Sequence, residues 1–228
     1  DAELSMGGTI ALLTYNGIRV GIVDLTEGEL STRGIVTTRR KETQSATKIL
    51  KLSARKNLKL ADGSLNPNIK LRNKIISEIR RYKPEVVFAP YFEDRHPDHI
   101  ATSKLIKEAV FYSGVPKVKT VVNGNIQKSF RPDKLYYYMQ TYVFQPSFIV
   151  DISKFFSIKM KAVKAYKSQF FNPSNKEPQT FISDPKFINY LEARAKYYGF
   201  LIRKEYGEPF YSEEGIEFDL LNFIKPKI

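Results

Sequence analysis

The chain contains no cysteine and no tryptophan, and only two of its 228 residues are histidine. Without cysteine it can form neither a disulfide nor a thiolate metal site. It has no run of about 18 apolar residues that could cross a membrane, and no secretory signal peptide is visible. We therefore expect a protein without a membrane partner. We also expect it to be cytoplasmic, a location that the lack of cysteine permits.

Positive charge is present in excess, with 37 Lys and Arg against 24 Asp and Glu, a net charge of +13. A basic balance of this size can indicate nucleic-acid binding. The basic residues are spread along predicted helices rather than gathered in one tract, which favours solvated helix faces and no nucleic-acid partner. A basic field would also attract a small acidic substrate.

Both histidines fall in one stretch, residues 94–99, which reads Asp-Arg-His-Pro-Asp-His. The apolar run at 85–90 predicts a buried strand, and the apolar spacing at 97–112 predicts a helix. Pro97 suits the first helical position, where its missing N–H costs nothing. Residues 94–99 therefore lie where a strand meets a helix, the edge at which open α/β sheets bind ligands.

His96 and His99 are three residues apart, so at a helix start both rings can lean over one place. Asp98 lies between them and could accept a ring N–H from His96, which would fix its tautomer. Two histidines and an aspartate suit zinc. A His-x-x-His pair alone is a weak signal, because short motifs match by chance, and the alternative is a pair of surface histidines beside a charged loop.

The rest of the chain alternates between predicted strands and helices. Strands are predicted at 19–24, 85–90, 135–140 and 147–151, and helices at 4–15, 38–51, 67–82, 97–112, 153–168 and 185–202. This alternation predicts an α/β fold with a Rossmann-like, largely parallel sheet and helices on both faces. No internal repeat or linker appears, so we expect a single domain over residues 1–228.

Further motifs complete a pattern. The chain opens Asp1-x-Glu-Leu-x-x-Gly-Gly-Thr, residues 24–29 read Asp-Leu-Thr-x-Gly-Glu, and the stretches 166–170 and 205–208 read Tyr-Lys-Ser-Gln-Phe and Glu-Tyr-Gly-Glu. In this order, and together with residues 94–99, they resemble the LmbE/PIG-L-like zinc-dependent N-acetylglucosaminyl deacetylases. The likeness is greatest to the bacillithiol-biosynthesis type and runs nearly end to end. It implies an LmbE-like fold.

The resemblance also implies a set of site residues. It implies zinc (Zn2+) bound by Asp1 and His99, with His96 and Asp98 as catalytic residues, and it implies substrate contacts from Arg39, Arg95 and Tyr206. Relatives are often hexamers, so a homo-oligomer is expected. The family motif reads Ala-His-Pro-Asp-Asp-x-Glu, and this sequence begins at its second Asp. The domain as given is therefore expected to lack its first strand and the start of that motif, with one zinc-binding His and the general-base Asp.

We therefore expect a zinc-dependent amide hydrolase that removes the N-acetyl group from an N-acetylglucosaminyl conjugate. A substrate with a carboxylate, such as the N-acetylglucosaminyl malate of bacillithiol biosynthesis, would suit Arg39 and Arg95, since Arg grips a carboxylate with two hydrogen bonds. Two alternatives stay open. One is a metal-dependent phosphoesterase whose acidic ligands are Asp24, Glu27, Glu29 and Asp94. The other is a non-catalytic basic binding module.

Overall fold

The computed structural model describes residues 1–219. Its helices are α1 (Ala2–Tyr15), α2 (Val36–Ile49), α3 (Ile69–Tyr82), α4 (Pro97–Ser113), α5 (Phe156–Lys164) and α6 (Pro185–Leu201). Its strands are β1 (Gly21–Thr26), β2 (Ala54–Leu60), β3 (Val86–Pro90), β4 (Val121–Val122), β5 (Asn125–Ile126), β6 (Lys134–Tyr138), β7 (Phe148–Asp151) and β8 (Gly207–Tyr211). Within the described part of the chain, every helix is too short or too polar to cross a bilayer.

The strands pair in three groups. β1 pairs with β2 in parallel, β3, β6, β8 and β7 form a four-stranded sheet in that order, and β4 and β5 form a small hairpin. β3 and β6 are parallel, whereas β8 runs antiparallel to both of its neighbours. The parallel pairs confirm the predicted α/β class, and β8 makes the larger sheet mixed.

Helices cover both faces of the larger sheet, as predicted. Phe210 and Tyr138 pack with residues of α1 and α5 on one face. Met139 and Tyr211, each the next residue along its strand, pack with Tyr198 of α6 on the other face. Successive side chains of a strand point to opposite faces, so the two cores are separated by the sheet.

Two local predictions differ from the structure. No strand was predicted between residues 24 and 85, but β2 spans Ala54–Leu60. The alternation of β2, Ala-Arg-Lys-Asn-Leu-Lys-Leu, is concealed by charged side chains, which suit an edge position. The helix predicted at 153–168 is shorter in the structure, where α5 spans Phe156–Lys164. The Ser153 hydroxyl donates to the Asp151 carboxylate at 2.6 Å.

A large cleft lies between the two main groups of strands. Both β1 and β3 line it. Asp1, His96, His99 and Gln140 line the cleft where β3 and β6 end, and the candidate site lies there.

Candidate active site

Asp1 and His99, the two predicted metal ligands, meet in the folded chain. Asp1 precedes α1, and His99 lies in the first turn of α4. The Asp1 Oδ2 atom is 3.6 Å from His99 Nε2. Residues from opposite parts of the first half of the chain are therefore brought together at one edge of the sheet.

Asp94 fixes the His99 ring from the other side. Its carboxylate is 6% exposed, and its Oδ1 lies 2.9 Å from His99 Nδ1. It also accepts the backbone N–H groups of His96 and Thr141, at 3.0 and 2.9 Å. Burial opposes ionisation of Asp94, but these N–H groups and His99 outweigh it and hold its pKa below the usual range. The network assigns the Nδ1 proton to the bond with Asp94, which leaves the Nε2 lone pair facing Asp1.

The charge state of His99 suits a ligand. Burial lowers the pKa of His99 and outweighs the opposing effect of Asp94. Its ring is therefore neutral at neutral pH, and a histidine must be neutral to bind a metal ion.

Two polar residues after β6 also reach the site. Tyr91 N–H donates to the Tyr138 carbonyl at 3.1 Å, which continues the parallel pairing of β3 and β6 and places both carboxyl ends side by side. Thr141 N–H consequently meets Asp94, and Gln140 Nε2 lies 3.4 Å from His99 Nε2. Gln140 and Thr141 were not predicted as site residues. Their position just after a strand that ends at the ligand-binding edge is the signal that could have found them.

His96 stands beside the His99 ring and caps α4. The two imidazoles are stacked, with centroids 4.7 Å apart. His96 Nδ1 accepts the Asp98 backbone N–H at 3.2 Å, and this acceptor role assigns the proton of the neutral ring to Nε2. His96 is exposed and lines the cleft, so its Nε2–H is a hydrogen-bond donor open to a bound molecule.

The carboxylate of Asp98 does not hold the His96 ring, contrary to the sequence-based expectation. Its two oxygens accept the backbone N–H groups of Gly63 and Leu65, at 2.8 and 3.2 Å. Asp98 orients His96 through its own backbone N–H, while its side chain is buried against the loop after β2. The carboxylate that orients a histidine ring is Asp94 instead.

The arginines expected to contact substrate border the cleft and already have partners within the protein. Arg39 Nη1 donates to the Gly28 carbonyl at 3.0 Å, and its buried Nε has no partner in the described residues. Gly28 has φ +70°, and a side chain there would collide with the Arg39 guanidinium. The guanidinium of Arg95 lies 4.6 Å from the ring centre of Phe181, which also lines the cleft.

The structure does not bring Tyr206, the third expected substrate contact, to the site. Its ring lies flat on Phe156, with centroids 3.8 Å apart, and it is not among the residues that line the cleft. Its backbone N–H donates to Ser153, immediately before β8 begins at Gly207. The path of the chain into β8 therefore packs Tyr206 against α5 and away from His99.

The first turn of α1 is tied to β1 and β2 by a charged network. The Glu3 carboxylate accepts Arg55 Nη1 at 2.7 Å and the Tyr166 hydroxyl at 2.8 Å. Arg55 also grips both oxygens of Asp24, at 2.7 and 2.8 Å. Burial would raise the pKa of Glu3, but the ion pair and hydrogen bond with Arg55 help to hold it below its usual range. Glu3 and Asp24 thus have structural partners.

These contacts weigh against the phosphoesterase alternative. Glu27 pairs with Arg40 at 2.7 Å, and Glu29 accepts the Asp62 backbone N–H at 2.8 Å. The acidic residues of that alternative are therefore occupied separately rather than gathered around one place. Over residues 1–219, no cluster of three or more His, Asp or Glu side chains could hold a metal ion.

A comparison with protein families matches the part of the chain that forms the candidate site. The family model of PIG-L, GlcNAc-PI de-N-acetylase, matches residues 1–110, which include α1 and the segment from Asp94 to His99. The chain has the PIG-L/LmbE-family deacetylase fold.

Individual relatives extend the match to most of the chain. The conserved protein TT1542 from Thermus thermophilus is 37% identical, with a TM-score of 0.87 over 97% of this chain and 93% of that one. The N,N'-diacetylchitobiose deacetylase from Pyrococcus horikoshii is 26% identical, with a TM-score of 0.78 over 98% of this chain and 85% of that one. The diacetylchitobiose deacetylase of Thermococcus kodakarensis is 29% identical over 91% of this chain and 77% of its own length. The chain is thus a homologue of the diacetylchitobiose deacetylases.

Proposed function

We propose that the protein is a zinc-dependent N-deacetylase that removes the acetyl group from an N-acetylglucosamine-type substrate. The observation that carries the proposal is the pairing of Asp1 with a neutral His99, whose Nδ1 is held by Asp94. A histidine whose far nitrogen is held by a carboxylate is the usual arrangement of a metal ligand and its partner. The homology to diacetylchitobiose deacetylases supports the reaction type.

In this proposal Asp1 and His99 are two ligands of the zinc ion. When bound, zinc polarises a carbonyl and lowers the pKa of a water to about 7. The family motif places a further histidine ligand and the general-base aspartate before Asp1. Asp94 contributes by holding the His99 ring so that Nε2 points at Asp1.

His96 would act on the acetyl group directly. Its Nε2–H is free to donate into the cleft, because Nδ1 is occupied by the Asp98 backbone N–H. A donor aimed at an acetyl oxygen stabilises the negative charge that develops there during attack on the carbonyl. The neutral ring suffices for this role, whereas an imidazolium would have to give up the bond at Nδ1.

For the substrate, we propose an N-acetylglucosaminide that carries a carboxylate, such as N-acetylglucosaminyl malate. Arg39 and Arg95 border the cleft, and the guanidinium of each can hold an anion. A charge-assisted hydrogen bond contributes about 1.5–3 kcal/mol, which corresponds to roughly ten- to a hundredfold in kcat/KM. N,N'-diacetylchitobiose, the substrate in the relatives' names, is the uncharged comparison.

One experiment tests the proposed roles in zinc binding and in catalysis. Zinc content and acetate release would be measured for the chain and for a form extended at its amino terminus by Ala-His-Pro-Asp. We expect the extended form to be the more active, His99→Ala to lose zinc, and His96→Ala to retain zinc and lose activity. Equal zinc loss in the two variants would contradict the assigned roles.

The choice of substrate is tested with Arg39→Ala. Its kcat/KM should fall roughly ten- to a hundredfold for N-acetylglucosaminyl malate and stay unchanged for N,N'-diacetylchitobiose. Arg39→Lys should recover part of the loss, since a point charge cannot replace the planar guanidinium. An equal fall for both substrates would reject carboxylate recognition and favour a chitobiose-type substrate.

A further inference from the structure

Helix α1 is broken after its first turn. Met6 has non-helical torsions, φ −135° and ψ 22°. In an unbroken helix Gly8 N–H would donate to the Leu4 carbonyl. It donates instead to the Glu208 carboxylate at 2.9 Å, and Thr9 N–H does the same. The break therefore leaves the Leu4 carbonyl without its helical partner.

Arg194 of α6 takes up that carbonyl and joins it to the other side of the site. Its Nη2 donates to the Leu4 carbonyl at 3.2 Å, and its Nη1 donates to the Gln140 carbonyl at 2.6 Å. Leu4 belongs to the turn that begins at Asp1. Gln140 is the residue whose side chain lies 3.4 Å from His99 Nε2. One guanidinium thus bridges the turn that follows Asp1 and the segment whose Gln140 contacts His99.

We propose that Arg194 is a positioning residue that holds the first turn of α1 against the segment after β6, and so sets the separation of Asp1 from His99. This rests on the proposed function only in taking those two residues as metal ligands. An Arg side chain suits this positioning role, because the two terminal nitrogens of its planar guanidinium bind two carbonyls at a fixed spacing. A lysine ammonium on a flexible stem would not hold the same spacing.

The location of the contacts separates this role from general packing. Arg194 is half-buried and lines the cleft, and its guanidinium donates hydrogen bonds to the Leu4 and Gln140 carbonyls. Lys196, two residues further on the same helix, is exposed and pairs with Glu192 at 2.7 Å. It offers a matched control, since its replacement changes charge on α6 without touching either segment.

The experiment compares Arg194→Met, Arg194→Lys and Lys196→Met with the wild-type chain. Amide hydrogen exchange would be followed in residues 1–9 and in residues 10–17, and the zinc Kd would be measured by competition with a chelator. For Arg194→Met we expect exchange in residues 1–9 to rise roughly ten- to a hundredfold, with a similar weakening of zinc binding. Arg194→Lys should show a smaller change, and Lys196→Met none.

Two results would overturn the proposal. One is unchanged exchange in residues 1–9 of Arg194→Met, and the other is a uniform rise over the whole chain, which would indicate a purely structural role. A wild-type chain that binds no zinc, alone or extended by Ala-His-Pro-Asp, would reject the proposed metal site. The exchange pattern needs no metal, and it would still decide whether Arg194 positions the first turn.

Discussion

Asp94 and Glu208 use the same contacts for different ends. Each is a buried carboxylate that accepts two backbone N–H groups and contacts one basic side chain, and Glu208 also accepts the Thr9 hydroxyl at 2.6 Å. The basic partner of Asp94 is His99, whose side chain is 21% exposed and faces the cleft. The basic partner of Glu208 is Lys159, whose side chain is 3% exposed.

The difference lies in the partner rather than in the carboxylate. Burial among N–H groups satisfies a carboxylate equally well at a site and in a core. His99 binds Asp94 through Nδ1 and turns Nε2 toward Asp1 and Gln140, at 3.6 and 3.4 Å, on the side of the cleft. Lys159 is enclosed, and burial lowers its pKa despite the opposing effect of Glu208. The pair faces no open space, and Glu208 serves to bind the backbone N–H groups at the break in α1. A buried carboxylate therefore indicates a candidate functional site when its basic partner is accessible from a cleft.

The largest effect that we expect is on stability, in Glu208→Ala. The change leaves Lys159 buried without its partner and leaves Gly8 N–H and Thr9 N–H unsatisfied. Breaking a buried pair in this way costs about 3–5 kcal/mol of unfolding free energy. Urea denaturation measures it, and Glu208→Gln, which keeps the side-chain size, is the control. A loss below about 1 kcal/mol would mean that the pair is not required to close α1.

A third buried carboxylate, Glu3, extends the comparison to pH. Arg55 helps to hold its pKa below the ordinary 4.5 in the folded chain. A lowered pKa contributes stability that is present above pH 4.5 and is lost as the pH falls through the folded-state pKa. Urea denaturation from pH 6 to pH 3 should show a steeper loss for the wild type than for Glu3→Gln. Parallel curves would contradict it.

Asp94→Asn should affect the metal more than the fold. The amide no longer provides the charge that holds the His99 Nδ1–H, and loss of such a partner typically lowers metal affinity about 10–100-fold. Zinc competition on the extended form measures this, while unfolding free energy should fall by only about 1–2 kcal/mol. If zinc affinity were undiminished and the unfolding free energy fell by more than about 3 kcal/mol, Asp94 would have a structural role like that of Glu208, which would contradict the comparison.

The smallest effect is expected where a carboxylate and its partner are both accessible. Arg40 pairs with Glu27 at 2.7 Å, and its side chain is 54% exposed. Exposed pairs contribute about 0–1 kcal/mol, so Arg40→Ala should leave the thermal midpoint nearly unchanged. Differential scanning calorimetry at low and high salt would check it. A loss of more than 2 kcal/mol would show that burial is a poor guide to these contacts.

Local patterns predicted most of the fold. The apolar run of β3 and the amphipathic spacing of α3 and α4 were sufficient, because each element has its own periodic signal. β2 was missed because its lysines and arginine conceal the alternation. The expected homo-oligomer and cytoplasmic location stay predictions.

The site was predictable only in part. The placement of both histidines at a strand end indicated the edge. Adjacency in sequence then suggested Asp98 as the partner of His96, but helix geometry turns that carboxylate toward Gly63 and Leu65. Contacts such as Arg194 with Leu4 depend on how α6 crosses the sheet, and no local pattern encodes such a path.

The cap that His96 provides links proton uptake to the order of a helix end. If Nδ1 gains a proton, it becomes a donor and can no longer accept the Asp98 N–H, so the first turn of α4 loses its cap. His99 lies in that turn. Uptake of a second proton by His96 would therefore loosen the turn that holds His99 for as long as the proton stays, and loss of the proton would restore the cap.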